Sequence, residues 1–143
     1  MSASPDDSRS PALRAPEIAL TALRVFDLAR SVAFYVDGCG LFRVHDISTD
    51  TFDAIIVGQR NGAGGGVELI RERDPAAAIE PGSGFAKLVM SVDDVEGTTT
   101  ASVECGGTVV MAPRALEHLG GLVLSTVRDP DGYIVEFVQR ASS

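Results

Sequence analysis

The chain has 143 residues, 45% of them apolar and 22% charged, which fits one globular domain whose core needs no disulfide staples. Its net charge of −8 excludes a phosphate-binding nucleic-acid surface, and no apolar run approaches the roughly 18 residues of a membrane span. Residues 1–16 carry Ser, Pro, Asp and Arg without an apolar signal core, so they read as a flexible leader, and the cytoplasm as the location. Cys39 and Cys105 form no CxxC pair and read as free thiols.

Residues 18–26 predict a strand. Asp27 stands at a helix N-cap position, where its carboxylate can accept from an orphan N–H of the first turn. Leu28, Val32 and Tyr35 follow at helical spacing, and Gly38-Cys39-Gly40 stops the helix. Three strands are predicted near 41–47, 52–58 and 66–71, with the Asn61-to-Gly65 run as a hairpin turn. A linker spans 74–83. The pattern then returns: a strand over 85–92, a cap at Asp94, a weak helix over 95–105 because of Thr98-Thr99-Thr100, and a stop at Gly106-Gly107. Strands follow near 108–111, 121–127 and 133–138.

Laid over each other at an offset of 67, the halves match Val25 with Val92, Asp27 with Asp94 and Gly40 with Gly107. One supersecondary unit therefore occurs twice. The expectation is an α+β fold: two tandem βαβββ modules (17–73 and 84–140, with a tail at 141–143) forming a curved sheet around a cavity. Near the C-terminus, Asp129-Pro130-Asp131-Gly132 specifies a turn. In the strand after it, Glu136 shares a face with Ile134 and Val138, and a carboxylate on an apolar face needs a partner or a function. Glu68, in Val67-Glu68-Leu69-Ile70, occupies the corresponding place in the first module.

Several segments together resemble the vicinal oxygen chelate superfamily, the group of glyoxalase I, bleomycin-resistance proteins and extradiol dioxygenases. They are Leu20 to Asp27, Ser31 to Tyr35, Gly38 to Leu41, Val67 to Leu69, Gly84 to Val95 and Asp129 to Glu136. In metal-dependent members four side chains converge in the cavity, and the resemblance maps those positions onto Leu20, Glu68, Lys87 and Glu136. Leu20 cannot ligate, and Lys87 ligates only when deprotonated. Two carboxylates alone make a poor transition-metal site. The expectation is therefore a pocket with no metal or other cofactor, in which Lys87 pairs with Glu68 and Glu136. The alternative is a divalent metal at Glu68 and Glu136.

On this basis the expected function is glyoxalase-like proton transfer, an isomerase, epimerase or lyase step. Glu136 or Glu68 would be the general base, and Lys87 would stabilise the oxyanion. Arg24, Leu20, His118, Phe52 and Met90 are expected to bind substrate, and the resemblance implies a homodimer. His45 reads as either lining or surface. Two alternatives stand beside this reading: a metal-free, bleomycin-resistance-type drug-binding protein, and a metal-dependent lactoylglutathione lyase with an atypical ligand set. The partner in each case is a small molecule, with neither nucleic acid nor membrane.

Overall fold

The computed structural model describes residues 12–74 and 78–141. Most of the expected leader, part of the linker and most of the tail lie outside the described residues. The first module runs β1 (Leu20–Arg24), α1 (Leu28–Val32), β2 (Phe42–Ser48), β3 (Phe52–Gly58) and β4 (Gly66–Glu72). The second runs β5 (Leu88–Val92), α2 (Val95–Glu104), β6 (Thr108–Leu116), β7 (Leu122–Arg128) and β8 (Ile134–Gln139). Each folds into its own four-stranded sheet, in the orders β1-β4-β3-β2 and β5-β8-β7-β6. The first strand pairs parallel with the last in both, and the other pairings are antiparallel. Among the described residues, no helix is long and apolar enough to cross a membrane.

The caps form as the sequence predicts. The Asp27 side chain accepts from the Arg30 N–H, and that of Asp94 accepts from the Gly97 N–H. α1 does not end as an ordinary helix: it widens into a π-helical turn over Ala33–Gly38. β5 starts three residues later than expected, and β6 is longer, running on through Pro113 with two register shifts.

One face of each sheet is buried under the helices. Leu23, Val25, Val57, Val67 and Leu69 pack with Phe34 and Tyr35, and the same cluster takes in Val95, Val127, Val135 and Phe137. α2 buries Val95, Thr99 and Ser102 rather than an apolar stripe. Its polar groups are satisfied locally: Thr99 Oγ1 donates to the Val95 carbonyl at 2.6 Å, and Ser102 Oγ donates to the Thr99 carbonyl at 2.8 Å. These small residues allow a close approach between the modules. A Cβ added at Gly38 would lie 3.0 Å from Ser102 Cα, and one at Gly107 would lie 2.7 Å from the Phe34 ring.

The modules are also locked by the Asp129–Gly132 turn, which docks on the corner between β1 and α1. The Asp131 carboxylate accepts from the Phe26 N–H (3.1 Å), Arg30 Nη2 (3.1 Å) and Ser31 Oγ (3.2 Å). Tyr35 donates to Asp129 Oδ2 at 2.6 Å, and Tyr133 donates to the Arg24 carbonyl at 2.8 Å. Asp129 Oδ1 accepts from the Asp131 and Tyr133 N–H groups and so fixes the turn itself.

Two stability predictions follow from this turn. Asp131→Ala strands three donors at the corner and should cost about 3 kcal/mol in urea unfolding. Burial, the largest cause, pushes the Asp129 carboxyl up, against the hydrogen bonds from Tyr35 and the turn N–H groups. A raised folded-state pKa contributes stability that is present below the ordinary carboxylate range and lost as pH rises through the raised value. Asp129→Asn keeps groups able to pair with Tyr35 and the turn amides. Its stability should fall less than that of the wild type over that pH window, as read from urea midpoints at several pH values.

Candidate functional site

The sheet faces turned away from the helices are open. Register places Ala22, Glu68, Ile56 and His45 in one row across the first sheet. In the second sheet the corresponding row is Val89, Glu136, Thr126 and Met111. Each glutamate is therefore the direct strand partner of an equivalent residue, Ala22 or Val89, on the first strand of its module. Leu20 stands two residues earlier on β1 and so shares the open face with Glu68, and Lys87 stands just before β5, where it reaches Glu136.

Lys87 Nζ donates to Glu136 Oε1 at 2.8 Å, with 16% of the glutamate and 45% of the lysine side chain exposed. Glu68 has no ion pair or side-chain hydrogen bond among the described residues. Lys87 thus pairs with one carboxylate and not, as expected, with both. The cause is the topology: Glu68 and Glu136 lie on separate sheets that share no strand pairing. Among the described residues, no three His, Cys, Asp or Glu side chains gather closely enough to hold a metal ion.

The other expected site residues divide. Leu20 lies on the open face, with its Cδ2 over Gly66. Phe52 is on the same face, opposite Glu72. Arg24 is there too, but its Nε is paired with Glu72 Oε1 at 2.9 Å in an exposed strand-end bridge. Met90 sits on the other face of β5, packed against the core. His118 is exposed in a single 3₁₀ turn, Glu117–Leu119, after β6. Both cysteines are free, and burial, ahead of the nearby Asp129 charge, pushes the Cys39 thiol up.

One chain does not enclose these groups. A groove of about 750 Å³ runs between α2 and β6 past Glu96, Thr100, Val103, Val109 and Pro113. That groove takes in neither Glu68, Lys87 nor Glu136. The carboxylate faces instead present apolar side chains to solvent, including Leu20, Phe42 and Val89.

The geometry is that of a known family. Residues 17–137 match the Glyoxalase/Bleomycin resistance protein/Dioxygenase superfamily, and the chain belongs to it. Relatives include a probable lactoylglutathione lyase of Synechocystis, 32% identical over 85% of this chain and 94% of its own length. The lactoylglutathione lyase of Haemophilus influenzae is 30% identical over 89% of this chain and 95% of its own. Glyoxalase I from Zea mays superposes with a TM-score of 0.77 at 25% identity, covering 89% of this chain. The chain spans about half the length of that maize protein, 46%. These relatives support a glyoxalase-like lyase.

They also correct the expectation of a site without a cofactor. Lactoylglutathione lyases belong to the metal-dependent members of the superfamily, so the metal-free reading is withdrawn. The donors that one chain offers are the Glu68 and Glu136 carboxylates, which do not by themselves complete a metal centre.

The Lys87 side chain of the pair is half in solvent, where screening keeps its contribution to folding small. Lys87→Met should change the unfolding free energy by less than about 1 kcal/mol in urea titration. A larger loss would make the pair a structural element.

Proposed function

We propose that the chain is a glyoxalase-like lyase that interconverts lactoylglutathione and its carbonyl precursor by proton transfer, at a site completed by a second copy. The supporting observation is the matched placement of Glu68 and of the Lys87–Glu136 pair on equivalent open faces of the two modules. The names of the relatives supply the substrate.

Glu68 has no ion pair or side-chain hydrogen bond among the described residues, which suits a general base. It takes the proton from the carbon bearing sulfur and hydroxyl, beside the carbonyl, and returns it to the neighbouring carbon, while the hydroxyl proton passes to the former carbonyl oxygen by way of the Lys87 ammonium. Atoms and charge balance, because the carbon-bound and oxygen-bound protons that leave the first carbon and its oxygen both arrive on the second. The carbonyl oxygen gains charge as the proton leaves. Lys87 keeps two N–H groups beyond the one given to Glu136, so it can donate to that oxygen. Glu136 acts through Lys87 by fixing the ammonium.

A single chain keeps Glu68 and Glu136 on separate sheets, and exposed Leu20, Phe42 and Val89 border them. A homodimer that lays the first open face of one copy over the second open face of its partner brings the groups together and covers that apolar surface. The maize relative, about twice as long as this chain, has the length to supply both halves in one polypeptide.

Glu68→Gln should lower turnover of glutathione with methylglyoxal by about 10²–10⁴-fold, followed as thioester absorbance. Unchanged turnover overturns the base assignment. Mixing Glu68→Gln with Glu136→Gln protein tests the shared site. A mixed dimer has one site with both glutamates intact, so random exchange should restore about a quarter of wild-type activity. If activity does not recover although subunits exchange, the site lies within one chain.

A further inference from the structure

The open face around Glu68 carries two cationic or ionisable groups that the proposed chemistry leaves unused. His45 is the strand partner of Ile56, which is the strand partner of Glu68. Two strand spacings put its backbone about 10 Å from that of Glu68, on the same face. Phe42 is the partner of Gly58 and faces the same way, although it stands three residues before His45. A bulge between Arg43 and His45 makes this possible: the extra residue shifts the alternation and turns both side chains to one face.

Arg60 completes the group. Its guanidinium carbon lies 4.2 Å from the centre of the Phe42 ring, which holds the guanidinium by its flat face and leaves the N–H edge free. Arg24, Arg43 and Arg73 are each paired with a carboxylate. Arg60 has no carboxylate partner among the described residues. Asp46, next to His45 in sequence, is on the opposite face and is engaged by both Nε and Nη2 of Arg43.

Ile56 stands between Glu68 and His45, and Leu20 and Val44 reach over the neighbouring glycines. Gly58 and Gly66 adjoin there, and a Cβ at Gly66 would lie 2.9 Å from the Val57 carbonyl oxygen and 3.3 Å from Leu20 Cδ2.

We propose that Arg60, stacked on Phe42, and His45 form an anion subsite that holds a carboxylate of the substrate about two strand spacings from Glu68. The inference rests on the open face being the substrate site. On a chain of net charge −8, an unpaired guanidinium and an imidazole on one face select for an anionic group. The subsite binds and positions; it takes no part in proton transfer.

The test is steady-state kinetics of the full-length protein with glutathione and methylglyoxal. Arg60→Ala and the Arg60→Ala/His45→Ala double variant should raise KM by about ten-fold or more, with kcat within about two-fold of wild type. Arg60→Lys should fall between wild type and Arg60→Ala, because it keeps the charge but loses the fork. Added salt should raise the wild-type KM more than that of Arg60→Ala. If the double variant keeps the wild-type KM while Glu68→Gln abolishes turnover, the subsite is wrong and the lyase reading stands. If the folded wild type does not turn over this substrate, both are wrong. Melting curves of each variant confirm that the comparison is between folded proteins.

Discussion

Asp131 has only 2% of its side chain exposed, and the corner between β1 and α1 meets its charge with a backbone N–H, a guanidinium and a hydroxyl. A buried carboxylate without such partners would cost several kcal/mol, so the second module has a strong preference for one seat on the first. Tyr35 reinforces that seat from the core side through Asp129. The first module has no counterpart: its equivalent connection is the glycine-rich run from Gly62 to Gly66, which carries no acid. The duplication is therefore symmetric in its sheets and asymmetric in its lock.

That lock, with the tight Gly38–Ser102 and Gly107–Phe34 contacts, spends the helix-covered faces on packing within the chain. What remains for function is the pair of open sheet faces. Each presents one glutamate at the same register position, and each leaves apolar side chains uncovered beside it. The geometry explains why the site residues fail to converge in one chain. The same packing that makes the monomer a unit holds its two carboxylates on different sheets.

Much of this was legible in the sequence, because caps and turns depend on local chemistry. Asp27 and Asp94 cap helices for reasons contained within four residues, and the pairing of Glu68 and Glu136 as equivalents follows from the strand period once the repeat is seen. The rest depended on contacts that no local pattern encodes. Asp129-Pro130-Asp131-Gly132 reads as a turn, and nothing in it announces that both acids reach the other module. The weak helix over the Thr98–Thr100 run forms because tertiary packing rewards small side chains there. His45 was undecidable because a bulge breaks the alternation on which any assignment of its face relies. Met90 was misassigned to the pocket by residue type alone; its strand register sends it to the core. The expected cofactor-free site followed from counting ligands in one chain, and the relatives overruled it.

The central claim is that the functional pocket forms between the open face of the first module and that of the second across two copies. A crystal structure of the protein with lactoylglutathione tests it most directly. The account predicts the ligand between Glu68 of one copy and the Lys87–Glu136 pair of the other, with its thioester end toward the glutamates. Ligand seated within one chain, for example in the groove between α2 and β6, with both open faces in solvent, would contradict it.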